Sequence, residues 1–486
     1  MNSRGLANLT LGIVVALLVT GPTWAQVSPA EPTATETAAT ETTPEVLSLD
    51  LERVIERALR DNPALHAEAA QRDEVLGRVD EVRADAYPTV DLVASWSRSR
   101  NPSLLNSRDF EDIIELFPDF EPGEQELWDV GIEATQTLYS GGKVRAAIEL
   151  AQLVVDVTDA RFATARLDTG LRAAEALFEL QAASQARDAV VAQETARRAA
   201  LDVVQARYDL GDATELERLR AEASWVAVAP LLARAEGRIE VAGSRLRAVL
   251  DLPPATRFDV PTPSGSPSSD GEVARPDLDT LRRLAAEYRP ELADLRLQLE
   301  ALTRQRTIEV ADGRPRVEFR GRYGHQARRT DDLDDTLFAD WRATVAMTLN
   351  LFDAGRRRGR LAQLDSQGER LRWLVRDLET SIEAQLTEAW ADHGAALGRL
   401  RAAEVALRAS AEARRVADES FREGVALQAD LIGAQEQEIR AQLERVDARL
   451  AASVALARLH RVVGLLPHEP LDGGSDFDGT SSREEN

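Results

Sequence analysis

The chain has 486 residues, 59 Lys and Arg against 83 Asp and Glu, a formal charge of −24 and no cysteine. That balance argues against a nucleic-acid partner, which needs a basic face, and the missing thiols exclude disulfide scaffolds, thiolate metal sites and thiol catalysis. A mean hydropathy of −0.30 with few aromatic residues excludes a polytopic helical membrane protein.

In chain order, Arg4 precedes an apolar run from Leu9 to Val19, then Gly21, Pro22 and the small-residue stretch Thr23-Trp24-Ala25. This is the pattern of a signal peptide over 1–25, too short for a transmembrane helix. Residues 26–46 are rich in Thr, Ala, Glu and Pro and read as a disordered linker, and 468–486 reads as a disordered tail.

The remainder is one unit written twice. Leu138-Tyr-Ser-Gly-Gly-Lys matches Leu351-Phe-Asp-Ala-Gly-Arg, Arg207-Tyr208 to Gly211 matches Ser420-Phe421 to Gly424, and Val249 to Pro254 matches Val462 to Pro467, all at an offset of 213. Upstream, Asn62-Pro63 matches Arg289-Pro290 and Tyr87-Pro88 matches Arg314-Pro315 at 227. The first repeat spans 47–253, a Pro/Ser/Gly-rich linker spans 254–278, and the second repeat spans 279–467. Each copy reads helix, strand, loop, strand, very long helix, turn, helix.

Four segments alternate with period two. They are Val90 to Ser97, Trp128 to Leu138, Arg316 to Tyr323 and Trp341 to Leu351. Each pairs an apolar face with a polar one over about ten residues, the length of a tilted membrane strand. The candidate lipid-facing residues are Leu92, Trp96, Trp128, Val130, Ile132, Phe319, Tyr323, Trp341, Val345 and Met347. Trp96, Trp128, Tyr139, Tyr323 and Trp341 lie toward strand ends, where an aromatic girdle sits. The loops 100–127 and 327–339 are polar and acidic. Four strands cannot close a barrel, and a sheet in lipid tolerates no free edge. Three copies of the chain would supply twelve strands.

Between Gly142 and Ala229, and again between Asp353 and Leu466, there is no proline. Leu150, Leu153, Val157, Ala160, Thr164, Leu167, Leu171, Ala174 and Phe178 follow a 3-4 spacing, as do Leu361, Leu364, Gly368, Leu371, Val375, Leu378 and Ile382. This is coiled-coil periodicity, and a helix over 143–210 would run for roughly 100 Å. Residues 214–250 form a return helix in which Pro230 predicts a bend or break. Residues 49–84 and 279–311 supply the remaining helical pieces. The fold class is α+β, a membrane protein with a duplicated unit and a long helical coiled coil.

Taken together, the Pro63 and Pro290 helix starts, the Pro88 and Pro315 strand entries, the two strand-exit motifs and the turns ending in Gly211 and Gly424 resemble the TolC family of outer-membrane efflux proteins over about 47–467. The resemblance implies a homotrimer with a twelve-stranded barrel in outer-membrane lipid and a periplasmic helical tunnel. The implied role is an exit duct for tripartite efflux or type I secretion in a Gram-negative bacterium. The implied partners are a periplasmic adaptor and an inner-membrane pump of RND, ABC or MFS type, with no nucleic acid. It also implies an entrance at tips near 208–217 and 421–430, formed by Gly211, Glu217, Gly424 and Asp430, with Arg207, Tyr208 and Phe421 as adaptor-docking residues. Each acidic residue follows its tip glycine by six, while Arg220 and Gly433 occupy the positions nine beyond. Some members hold the tip shut with a hydroxyl and an arginine, and Phe421 and Ala426, which supply neither group, stand at those positions here.

No catalytic motif emerges. The five histidines lack metal-ligand spacing, and Gly141-Gly142-Lys143 lacks the full phosphate-loop pattern. The chain reads as no enzyme, with no cofactor. Arg356-Arg357-Arg358 fits either lipid headgroups or a solvated helix start. The alternative function is a soluble periplasmic coiled-coil scaffold or adaptor without a pore, whose strands would pack into a private core.

Overall fold

The computed structural model describes residues 47–48, 50–100, 124–259, 276–327, 339–423 and 425–471. The expected signal peptide, the 26–46 linker, most of both inter-strand loops and residues 472–486 lie outside the described residues. So does Gly424. The chain divides into two compact units, one from Asp80–Ile148 with Gln305–Leu361, the other from the described parts of Thr42–Val79, Glu149–Arg304 and Ala362–Asn486.

The first unit carries the sheet. Strands β2 (Thr89–Arg100), β3 (Glu124–Tyr139), β5 (Arg316–Ala327) and β6 (Ala339–Thr348) form one antiparallel sheet in the order β2-β3-β5-β6. β1 (Leu47–Ser48) and β4 (Phe258–Asp259) make a separate two-residue parallel pair. β3 carries a register shift between Thr137 and Tyr139. Leu138 becomes the extra residue of a bulge, and Tyr139 replaces it opposite Val317. Simple alternation places Leu138 on the apolar face, and the bulge corrects that. β6 also stops at Thr348, short of the expected Leu351.

The second unit is helical. Helices α1 (Leu51–Asp61) and α2 (Pro63–Ala84) meet at Asn62, and α6 (Leu278–Tyr288) and α7 (Pro290–Ala311) meet at Arg289. Proline disfavours helical backbone in the residue before it but suits the first helical position. Accordingly Asn62 and Arg289 are both extended, at ψ 123° and 109°. The Asn62 amide donates to the Val249 carbonyl at 2.8 Å, and the Arg289 guanidinium donates to the Val462 carbonyl at 2.6 Å. These contacts join the 227 register to the 213 register in each copy, so the duplication extends to its hinges.

The long helices are α3 (Lys143–Leu210) and α8 (Arg356–Arg422), of 68 and 67 residues. Returning from them are α4 (Glu215–Val226), α5 (Ala229–Val249) and α9 (Gln428–Val463). One core joins Val54, Ile55, Leu177, Leu180, Leu246 and Leu250, and a second joins Leu281, Leu284, Leu386, Leu459 and Val463. Val54 and Leu281 are equivalents, as are Leu246 and Leu459. Along α3 the stripe drifts. Leu153, Val157, Ala160, Leu167 and Ala174 are buried, whereas Leu171 and Phe178 are only partly covered and Leu177 and Leu180 take the centre. No described helix is long and apolar enough to cross a membrane.

Pro230 acts as expected, and its surroundings explain how the break is tolerated. It lies in the first turn of α5, where its missing N–H costs no hydrogen bond. At the break, Val228 donates to Trp225 at 3.0 Å instead of to Ser224. The Ser224 carbonyl accepts from buried Arg197 of α3 at 2.7 Å. The second copy has leucine at the position matching Pro230 and serine at the position matching Arg197. Its return helix, α9, is unbroken over 36 residues. The expected disordered tail begins with ordered chain, because His460 contacts the Glu469 carbonyl at 3.0 Å and Leu466 donates to the Glu469 carboxylate at 2.6 Å.

Candidate functional sites at the sheet and at the helix tips

The strand register gathers all ten candidate lipid-facing residues onto one face. Leu92 pairs with Ile132, Ile132 with Tyr323, and Tyr323 with Trp341. Trp96 pairs with Trp128, with ring centroids 6.1 Å apart. Phe319 pairs with Val345 and Val317 with Met347, and Val130 lies in the same row set. No described residue covers this face, with Trp341 74% and Met347 69% exposed. Among the described residues this face forms no private core, and a contiguous exposed apolar face of this kind marks a membrane or partner surface. Just past the Trp96–Trp128 pair, Arg98 and Glu126 stand 3.7 Å apart on the same face, ending the apolar band with charge. Tyr323 and Trp341 sit inside that band, nearer its middle than a terminal girdle requires.

The opposite face is polar. Asp129 pairs with Arg322, and Glu318 with both Arg316 and Arg320, the last at 3.3 Å. Among the described residues, both outer strands, β2 and β6, have one edge without a partner strand.

At the first tip, α3 ends in a left-handed Gly211 at φ 85°, with Asp212 N–H donating to the Arg207 carbonyl at 2.8 Å. This is the ordinary way a helix closes its last turn. Thr214 then caps α4. Its backbone N–H donates to the Glu217 carboxylate at 2.7 Å, and Glu217 N–H donates back to the Thr214 hydroxyl at 3.3 Å. The Thr214 N–H and hydroxyl, both donating to it, hold the Glu217 carboxyl below its ordinary range. Glu217 is thus a structural cap as well as a tip charge. At the second tip, exposed Asp430 accepts from Leu427 N–H at 3.2 Å. Leucine returns no side-chain bond, so only half of the motif is made.

The tip residues of the two copies come together. The Arg207 guanidinium lies 5.2 Å from the Phe421 ring centroid, and Arg218 lies 5.8 Å from that of Tyr208. Buried Gln428 donates to the Glu217 carbonyl at 3.1 Å. Neither Arg218 nor Gln428 stands out in the sequence. Their signal is only that each falls in the first turns after a tip. Around them Leu210, Leu216, Val425 and Leu427 are exposed. Among the described residues no group of three or more metal-ligating side chains is present.

A sequence model of the family described as outer membrane efflux protein matches residues 54–251 and 281–465. The chain is 23% identical over 443 residues to the outer membrane protein OprJ of Pseudomonas aeruginosa, covering 86% of this chain and 85% of that one. It is 22% identical over 439 residues to the outer membrane protein TolC of Vibrio cholerae, covering 87% and 92%. The solved structure of the outer membrane protein VceC from Vibrio cholerae aligns with a TM-score of 0.69 at 21% identity, covering 85% of this chain and 96% of that chain. A likeness at that identity speaks to fold.

Proposed function

The chain belongs to the outer membrane efflux protein family and is an outer-membrane exit duct, and we propose that three copies form it as a tripartite efflux or type I secretion component. The observation that carries this reading is the four-stranded sheet with one exposed apolar face, one charged face and two unpaired edges. In hydrocarbon every open edge leaves N–H and C=O groups unsatisfied at several kcal/mol each. Pairing β2 of one copy with β6 of the next removes both edges and yields twelve strands. The apolar face then meets lipid, and the Asp129–Arg322 face lines a wet lumen. Trp373, Leu374, Val405 and Val416 of α8 are exposed apolar residues that a neighbouring copy would cover.

Transport through such a duct is passive, with energy coupling left to an inner-membrane pump of RND, ABC or MFS type. A periplasmic adaptor docks at the tips through Arg207, Tyr208 and Phe421, with Leu210 and Val425 supplying apolar contact. Gly211, Glu217, Gly424 and Asp430 border the entrance. The test is light scattering on the detergent-purified chain together with planar-bilayer recording. Three copies per particle and discrete conductance steps are expected. A monodisperse monomer that stays in solution without detergent overturns the trimer.

A further inference from the structure

Beside the break at Ala227-Val228, helices α3, α5 and α9 line a half-open cavity of about 480 Å³. Its charged walls are Arg197, Arg234, Arg238 and Arg440 against a single carboxylate, Glu436, which stands 3.6 Å from Arg197. In a chain of −24, this is a local excess of positive charge. Arg234, Arg238 and Arg440 are exposed and have no carboxylate partner among the described residues. The deep end holds Arg197 and Gln193, 6% and 8% exposed. There the Arg197 Nε–H donor and the Gln193 Oε1 acceptor are both buried without a hydrogen-bond partner. Buried polar atoms left without a partner are costly, so their presence side by side in one cavity needs an explanation. Val190, Leu231, Ile439 and Leu443 supply apolar wall.

We propose that this cavity binds an organic anion, an oxyanion head on a small apolar body that also carries a hydroxyl. Guanidinium forks match oxyanions in geometry as well as charge. The head accepts from Arg197 Nε–H and from the exposed arginines, the hydroxyl donates to Gln193 Oε1, and the body meets the aliphatic wall. The volume lies within the range of small-molecule sites, about 300–1,000 Å³. An adjoining cavity shares Ala186, Arg234 and Arg238. It also holds Asp447 and the Glu179–Arg245 pair at 2.6 Å, so the positive excess falls along the groove and the anion is favoured at the Arg197 end.

The test titrates the detergent-purified full chain with fluorescent 3-hydroxy-2-naphthoate by equilibrium dialysis, correcting for protein-free micelles. One saturable site per chain is expected, weakened at least tenfold in the Arg234→Gln/Arg238→Gln variant. Both residues are exposed and unpaired, so the variant keeps the fold. Arg440→Gln, on a different helix, should weaken binding in the same direction, and Arg401→Gln on α8 should not. Absence of saturable binding, equal binding by the variants, or equally tight binding of neutral 2-naphthol overturns the proposal. The readout is a soluble ligand rather than conductance, so its failure leaves the duct reading untouched, and the converse holds.

Discussion

Ala354 and Asp251 hold backbone that L-residues avoid, at φ 54° and 50°. Their equivalents in the other copy are glycines, Gly141 at φ 65° and Gly464 at φ 96°. The duplication has thus conserved a turn geometry at each site while letting the residue drift. At Ala354 there is only a left-handed penalty of roughly 1–2 kcal/mol, partly offset by the lower chain entropy of Ala in the unfolded state, about 0.4–1 kcal/mol. Ala354→Gly should therefore raise thermal stability by roughly 0.5 kcal/mol. At Gly464 the same strain is joined by contact, because an added Cβ would lie 2.6 Å from the Tyr288 carbonyl oxygen, beside the Arg289 hinge. Gly464→Ala should lower stability by at least ~2 kcal/mol. Circular-dichroism melts of the two variants check the pair, and melts shifting in the same direction would refute the distinction.

At the scale of elements, the break at Pro230 and the Arg197 clamp form one device. Arg197→Met leaves the Ser224 carbonyl and the Glu436 carboxylate without their buried partner, a loss of about 1–3 kcal/mol. Adding Pro230→Ala lets α4 and α5 fuse, returning Val228 N–H to Ser224. The double variant should recover part of that loss, and the coupling is read from a thermal double-mutant cycle. Additive effects would show that clamp and break are independent. The break itself is legible in the sequence, since proline announces it. The clamp is not, because Arg197 and Ser224 are 27 residues apart and one arginine in a polar helix carries no signal. The same division runs through the fold. Period-two alternation places all ten apolar residues on one sheet face, and the doubled Pro and Gly motifs mark both hinges and the first tip. The Leu138 bulge escapes, because alternation assumes an unbroken register. The exact stripe along α3 drifts, because 3.6 residues per turn slips against a 3.5 repeat. The Arg207–Phe421 contact depends on how two distant tips meet.

For the molecule as a whole, the consequence of the proposed threefold assembly lies in where it would concentrate charge. Asp430 is one exposed carboxylate on one chain, but three copies around an axis would make a ring that attracts cations and repels anions. The caps make this testable without damaging the tips. Asp430 uses its carboxylate to accept from Leu427 N–H, and an asparagine oxygen serves there nearly as well. Glu217 sits at the third position of a capping box, where glutamine is equally accepted. Asp430→Asn and Glu217→Gln therefore remove charge and keep the helix starts. Glu217 already spends its carboxylate on two Thr214 donors, whereas Asp430 receives a single backbone bond and faces solvent. Asp430→Asn should reduce the cation-to-anion permeability ratio by roughly twofold, and Glu217→Gln by less. Reversal potentials across planar bilayers in a potassium chloride gradient measure both. A ratio unmoved by Asp430→Asn would take that residue off the conduction path, and a larger effect from Glu217→Gln would place the narrowest ring at the first copy's tip instead.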